Sequence, residues 1–318
     1  MTELRLGTRG SLLAMTQSQT VADALSRASG RPVRLVTIQT TGDVRLDRPL
    51  SQLGAKGLFT RELDEALLEK RVDLAVHSLK DLPTADTEGL AVTTIPVRED
   101  PRDVLIGPEG AEGISLSALP PGATVGTSSL RRRALILAFR PDLTVENLRG
   151  NLDTRIRKVD EGVVDAIVVA GAGVRRLGLS RRIGDWVEGG AWLPAPAQGA
   201  LGIVTRADDG ETREALNPLH HEDTARVVRA ERAMLHTVEG GCQVPVGALA
   251  IPFGPRIRLR GVVASPDGRQ VVLADGTGEA EDPEALGRRV GEELLARGAG
   301  VILEQLRNGA GGVSPLGA

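Results

Sequence analysis

Apolar residues recur along this chain with two periods, which predicts strands alternating with helices. Leu4–Thr8 alternates between apolar and polar residues as a strand does, and Ser11 stands where a helix cap is expected. Val72–Leu79 and Val163–Ala170 are almost continuously apolar, which is typical of strands covered on both faces of a parallel sheet. This alternation predicts βαβ units.

Two proline-bearing segments, Arg98–Asp103 and Pro194–Gly199, interrupt the alternation and predict crossings between domains. The pattern then changes towards the C-terminus. Arg256–Ala264 and Gln270–Ala274 flank a Pro-Asp-Gly turn and predict a hairpin, and Asp282 followed by proline predicts a helix start. Strands followed by helices predict a small α+β domain.

Composition narrows the class of protein. The 318 residues carry a net charge of −3 and one cysteine, which excludes a disulfide framework. There are five Phe and Trp residues and no Tyr, so we expect no base-stacking surface for nucleic acid. The charged residues Glu3 and Arg5 are not followed by the apolar region that a secretory signal requires. The apolar stretch Ala166–Val174 is too short to span a bilayer. We therefore expect a cytoplasmic protein without nucleic-acid or membrane partners.

Arginines gather at predicted strand-to-helix junctions. Gly7–Ser11 and Gly126–Arg132 each join a strand to a helix, and Arg149 and Arg155 flank a third such junction. Helix N-termini attract anions and disfavour cations, so arginine there needs an offsetting partner. The sequence leaves two interpretations open, solvated arginines or an anionic ligand held between two domains.

Two further segments carry candidate chemistry. Lys80 and Asp81 follow an apolar strand and precede a proline, which fits either a cleft carboxylate or a turn with a capping aspartate. Cys242 follows two glycines, which fits either a small buried residue or a reactive thiol on a sharp loop. A site of Cys242 with His236 and His220 or His221 matches no compact ligand spacing, so we expect no metal.

Seven segments occur in the order found in one enzyme family. Together they resemble porphobilinogen deaminases, also called hydroxymethylbilane synthases. The resemblance implies an α/β fold of two lobes, like type II periplasmic binding proteins, and a small α+β C-terminal domain. The implied boundaries are 1–98 with 197–216, then 99–196, then 217–318. The segments are Leu6–Ser11, Lys56–Phe59, His77–Asp81, Val125–Arg132, Leu148–Asn151, Ala195–Ala200 and Glu239–Pro245.

The resemblance also implies an activity. The family joins four porphobilinogen molecules head to tail, releases ammonia and yields hydroxymethylbilane. It implies that Cys242 anchors a covalent dipyrromethane primer and that Asp81 is the catalytic carboxylate. The other residues would bind carboxylates of the primer or of the substrate and growing chain, except Phe59, which would help cover the site. Those implied for the primer are Ser78, Lys80, Thr127, Ser129, Arg131, Arg132 and Arg155. Those implied for the substrate are Arg9, Ser11, Lys56, Phe59, Arg149 and Arg176.

Three further expectations complete this interpretation. The loop Thr41–Gly57 would form a lid, and the chain would be a monomer. Some family members carry other residues at the positions of Gln52 and Gly10, so the contacts of the lid can differ from those in the family.

The competing hypothesis is a non-catalytic two-lobed protein that binds an anionic solute. Cys242, in an added C-terminal domain, favours the enzyme because a simple binding protein does not need it.

Overall fold

The computed structural model describes residues 2–40, 60–85, 87–111, 113–238 and 244–309. Cys242, Lys56, Phe59 and the predicted lid Thr41–Gly57 lie outside these described residues. Among the residues that are described, no helix combines the length and apolar character needed to cross a membrane.

Strands and helices alternate through most of the described chain. The strands are β1 (Leu4–Thr8), β2 (Val33–Thr37), β3 (Leu74–Ser78), β4 (Leu90–Thr94), β5 (Asp103–Ile106), β6 (Thr124–Gly126), β7 (Thr144–Glu146), β8 (Ala166–Ala170), β9 (Asp185–Val187), β10 (Leu201–Arg206), β11 (Val246–Phe253), β12 (Arg256–Ala264) and β13 (Val271–Glu279). The α-helices are α1 (Leu12–Ser29), α2 (Arg61–Leu68), α3 (Leu130–Phe139), α4 (Leu152–Asp160), α5 (Gly171–Arg176), α6 (Gly210–Leu216), α7 (Glu222–Thr237), α8 (Pro283–Leu294) and α9 (Gly300–Gly309).

Two five-stranded sheets share one plan. Their strand orders are β2-β1-β3-β10-β4 and β7-β6-β8-β5-β9. In each sheet three neighbouring strands run parallel, and the fourth, β10 or β5, runs antiparallel to both of its neighbours. Each antiparallel strand directly follows one of the two predicted crossings. The expected α/β class of the two lobes is confirmed.

Helix starts follow the capping residues that the sequence indicates. The side chains of Ser11, Ser129 and Asp282 each accept a hydrogen bond from a backbone N–H in the first helical turn. Helix α1 continues to Ser29. It stops there because Gly30 adopts φ 68°, and its N–H bonds to Ser26 O.

The C-terminal unit is α+β, as expected. Its antiparallel sheet β11-β12-β13 packs against α7 and α8. Helix α7 begins at Glu222 with His221 as its cap. Strand β13 extends to Glu279, which pairs with Arg256. The sequence prediction ended it at Ala274, because the following residues lack an apolar alternation.

A buried carboxylate on α7 joins the C-terminal unit to both crossings. Glu231 has no solvent exposure. It accepts hydrogen bonds from Arg98 at 2.8 and 3.0 Å, from Ala197 N at 2.6 Å and from Ala250 N at 2.8 Å. A buried charge of this kind is tolerated because it is paired with an arginine and both of its oxygens accept hydrogen bonds.

Candidate active site

The carboxyl ends of β1 and β3 carry the predicted residues of the first sheet. Arg9 follows β1, and Ser78 ends β3, where its hydroxyl exchanges hydrogen bonds with Gln17 at 3.3–3.4 Å. A short 3₁₀ turn, Leu79–Asp81, follows at once. Leu79 anchors this turn in the core, Lys80 is half-buried and Asp81 is exposed. The turn therefore presents a cation and a carboxylate side by side.

Three of the predicted hydroxyl side chains accept hydrogen bonds from backbone N–H groups. Ser11 accepts from Ala14 N at 3.4 Å, and Ser129 accepts from Arg132 N at 3.4 Å. Thr127 accepts from Ser129 N at 3.2 Å. Each hydroxyl still has its own hydrogen to donate, because accepting a bond uses a lone pair only. Their capping role accounts for their place at helix starts.

Arg131 and Arg132 are both buried at the start of α3, with exposures of 3% and 6%. Arg131 donates to Asp103 at 2.7 Å and to Leu193 O at 2.8 Å, and its Nε has no hydrogen-bond partner in the part of the chain that the structure describes. Arg132 donates to Asp103 through Nε at 3.0 Å and Nη2 at 2.9 Å. Both arginines therefore share one internal carboxylate.

Gln198 links the two sheets through the second crossing. Its Oε1 accepts from Lys80 Nζ at 3.3 Å and from Arg132 Nη2 at 3.2 Å. Its Nε2 donates to Asp103 at 2.8 Å and to Pro101 O at 2.7 Å. Because the amide is fully buried and both ends are matched, its orientation is unambiguous.

The remaining predicted arginines follow strands of the second sheet. Arg149 lies after β7, and Arg155, in the first turn of α4, donates through Nε to Gly150 O at 2.7 Å. Arg176 ends α5 and donates to Gly199 O at 2.7 Å, which ties it to the second crossing. All three are half-buried.

Electrostatics connect the residues of the two sheets. Burial lowers the pKa of Lys80 to about 8; Asp81 and Asp103 oppose this shift, and Arg132 and Arg131 add to it. Burial also lowers the pKa of Arg155 to about 10, with Arg132 and Arg149 adding to the shift and Asp81 opposing it. Cations from both sheets thus lie close enough to repel one another. A bound anion would offset this repulsion.

Sequence reasoning missed Asp103 and Gln198. Asp103 ends the charged, proline-bearing segment for which the sequence predicts a crossing between domains. The available signal was a single acid placed directly before the apolar run Val104–Ile106. Gln198 is a polar residue among Pro, Ala and Gly, and no local pattern shows that it contacts Lys80.

The histidines considered for a metal have separate partners. His220 Nε2 lies 3.2 Å from Glu222, His221 Nδ1 lies 2.9 Å from Thr224 Oγ1, and His236 Nδ1 lies 3.4 Å from Thr84 Oγ1.

Distant likenesses exist among solved structures. A periplasmic substrate-binding protein of an ABC transporter from Coxiella burnetii has 17% sequence identity and a TM-score of 0.42, covering 69% of this chain and 92% of its own. A putative methionine-binding lipoprotein from Bacillus subtilis has 12% identity and a TM-score of 0.41, covering 70% and 92%.

Sequence relatives are much closer. The family model for the "Porphobilinogen deaminase, dipyromethane cofactor binding domain" matches residues 4–214, and that for the C-terminal domain matches residues 225–296. A porphobilinogen deaminase from Syntrophobacter fumaroxidans is 48% identical over 304 residues, which is 95% of this chain and 97% of its own length. One from Desulforudis audaxviator is 52% identical over 310 residues, or 97% and 99%. With both family models matched in order and about half of all positions identical, the chain belongs to the porphobilinogen deaminase family.

Proposed function

We propose that this chain is a transferase that joins four porphobilinogen molecules head to tail, with loss of ammonia, to give hydroxymethylbilane for tetrapyrrole biosynthesis. Family membership along nearly the whole chain supports the reaction class. The observation that carries the proposal to a site is that Lys80 and Arg132 bond to the same Gln198 oxygen, while the exposed Asp81 lies close enough to act on the charges of Lys80 and Arg155. The non-catalytic alternative is not favoured.

The cations of the site fit a dipyrromethane primer. Each of its two pyrroles carries an acetate and a propionate, so the group brings four carboxylates. Lys80, Arg131, Arg132 and Arg155 outnumber the neighbouring carboxylates, and burial depresses the pKa of Lys80 and Arg155. Arginine forks bind carboxylates with two parallel bonds. When bound, the dipyrromethane supplies the pyrrole carbon that accepts the next unit.

Asp81 is the proposed catalytic carboxylate. Its negative charge favours the cation that develops on porphobilinogen as the aminomethyl C–N bond breaks and ammonia departs. It also accepts pyrrole N–H bonds and takes the proton that is released as the new C–C bond forms. Lys80 and Arg132 hold carboxylates of the primer beside it. Arg9, Arg149 and Arg176, with Ser11, are proposed to hold substrate carboxylates.

The proposed primer anchor is tested by the mass of the intact protein. We expect two linked pyrrole units on the chain, with peptide mapping placing them on Cys242. Cys242→Ser should carry no primer and show almost no turnover, because a hydroxyl is a far weaker nucleophile than a thiolate at neutral pH. Active protein with an unmodified mass would overturn the primer, and primer-free protein that only binds porphobilinogen would favour the binding-protein alternative.

The proposed role of Asp81 is tested by two substitutions. Asp81→Glu keeps the charge but moves it, and a misplacement of about 1 Å costs on the order of a hundredfold in rate. Asp81→Asn keeps the shape, loses the charge and should be slower still. Porphobilinogen consumption is measured per mole of primed enzyme, so that lost primer is not mistaken for lost chemistry. Fully primed Asp81→Asn with parental turnover would assign charge stabilisation to another group.

The domain boundaries 1–98 with 197–216, 99–196 and 217–318 are part of the proposal. The two sheets, whose antiparallel strands β5 and β10 follow the crossings, support the first two. A monomer in the cytoplasm remains a prediction, for which sedimentation and cell fractionation are the direct measurements.

A further inference from the structure

Asp103 is the most heavily bonded buried carboxylate near the proposed site. It opens β5 with no solvent exposure. Its Oδ2 accepts from Arg131 at 2.7 Å and from Trp192 Nε1 at 3.1 Å. Its Oδ1 accepts from Arg132 at 2.9 and 3.0 Å and from Gln198 at 2.8 Å. Donors from a helix, from the second crossing and from a strand-following loop therefore converge on one group.

The reason for a carboxylate at this point is electrostatic. Arg131 and Arg132 are neighbouring buried cations in the first turn of α3, where the helix dipole also disfavours positive charge. Burial alone would raise the pKa of Asp103, but the two arginines outweigh burial and hold that pKa well below its ordinary value. Asp103 is thus the fixed negative charge that allows both cations to remain buried.

Asp103 also leaves the arginine pair with capacity for a ligand. Two cations share one carboxylate. Among the described residues Arg132 Nη1 makes no hydrogen bond, since Nε and Nη2 supply all its contacts to Asp103 and Gln198. Gln198 in turn holds Lys80, which neighbours Asp81 in the catalytic turn. The position of Asp103 therefore affects the positions of Arg132 in α3 and, through Gln198, of Lys80 after β3.

We propose that Asp103 is a positioning residue of the anion site. It orients Arg131 and Arg132 for the primer's carboxylates and, through Gln198, fixes the position of Arg132 relative to Lys80. The inference rests on the proposed function. It assigns Asp103 no contact with substrate. Its role differs from simple core stabilisation because the groups it holds are those that would meet the ligand.

The test compares Asp103→Asn with Asp73→Asn. Asp73 is a matched control because it also accepts a two-pronged bond from an arginine, Arg5, at 2.7 and 3.0 Å. It lies just before β3, at the opposite end of that strand from Lys80. Both substitutions remove a charge paired with arginine, so both should lower thermal stability, but only Asp103 touches the site.

Each variant is expressed in the same host, and its primer content is read from the intact mass and a colour test for pyrroles. We expect the primer-bearing fraction of folded Asp103→Asn to fall by about tenfold or more, since buried arginines without their counter-ion lose their fixed orientation. Folded Asp73→Asn should keep the parental fraction. Equal primer content in folded Asp103→Asn and the parent would overturn the proposal.

A milder pair covers the case in which Asp103→Asn does not fold. Trp192→Phe removes one donor to Asp103 and keeps every charge. Trp186→Phe is its control, because that indole lies under Arg102 and has no bond to Asp103. Primer-free proteins are mixed with porphobilinogen, and the gain in mass is followed over time. We expect uptake to slow several-fold in Trp192→Phe only, and equal rates in the two variants would overturn the proposal. A parent without any primer would instead refute the proposed function.

Discussion

His77 lies on β3 immediately before Ser78, and its Nε2 has no hydrogen-bond partner among the described residues. Burial, and secondarily the charge of Arg9, lowers its pKa from 6.5 to about 4. The unfolded chain therefore takes up the proton more readily than the folded chain does. The contribution of neutral His77 to stability is fully present above about pH 6.5 and is lost as the pH falls towards 4.

We predict a specific acid sensitivity from this histidine. Between pH 6.5 and 4, titration of His77 should reduce the free energy of unfolding by about 3 kcal/mol. Urea titrations at several pH values should show a shallower acid slope in His77→Gln than in the parent. His236→Gln changes an exposed histidine and should keep the parental slope. Parallel slopes for the parent and His77→Gln would contradict the prediction.

At the scale of elements, helix α7 of the C-terminal unit supports the 3₁₀ turn Leu79–Asp81 of the first sheet. Arg232 donates to the carbonyls of Leu82 at 3.3 Å and Pro83 at 2.6 Å, and its distance to Leu79 O is 3.4 Å. These carbonyls lie on either side of Lys80 and Asp81. A 3₁₀ turn has few internal bonds, so an external donor contributes substantially to its geometry.

We predict that Arg232→Gln loosens this turn. The free energy of unfolding should fall by about 2 kcal/mol, since hydrogen bonds from a charged donor are lost. Turnover per primed enzyme should fall about tenfold, because Asp81 is less well placed. Arg232→Lys should recover part of both losses. The control is Arg229→Gln on the same helix, whose exposed pairing with Glu222 contributes little. Unchanged turnover in primed Arg232→Gln would limit Arg232 to a stabilising role.

At the scale of the whole molecule, the two crossings contact each other, and together they connect the two lobes. Glu99 N donates to Gly199 O at 3.2 Å. Gly199 has φ 88°, and a Cβ there would lie 2.3 Å from Glu99 O. Only glycine permits this approach, and the next residue back along the chain is Gln198, whose Oε1 accepts from Lys80 and Arg132.

We predict that Gly199→Ala separates the crossings. Gly189→Ala is a matched control, because Gly189 has φ 96° but nothing within 4 Å of its Cβ position. The control should lose about 1–2 kcal/mol of stability from backbone strain alone. Gly199→Ala should lose about 1–3 kcal/mol more from the clash, together with part of its primer. Equal melting temperatures and primer contents in the two variants would show that the close contact is not important.

Local sequence patterns predicted most of the strands and helix starts and the residue types of the site. Period-two and continuous apolar runs located strands such as β1, β3 and β8, because burial on a sheet demands those patterns. Ser11 and Ser129 marked helix starts, because a cap is a local interaction. Arginine at helix starts left two interpretations open, solvated side chains or an anionic ligand, because that placement needs an offsetting partner.

Which residues share the site depends on contacts between segments that are far apart in the sequence. Asp103 and Gln198 lie far along the chain from Lys80, and no local pattern records their contacts. Nor does the sequence show that Arg131 Nη1 donates to both Asp103 and Leu193 O. Capping and periodicity are set by neighbours within one helical turn or strand. The partner of a buried charge is set by how the two sheets and the crossings meet.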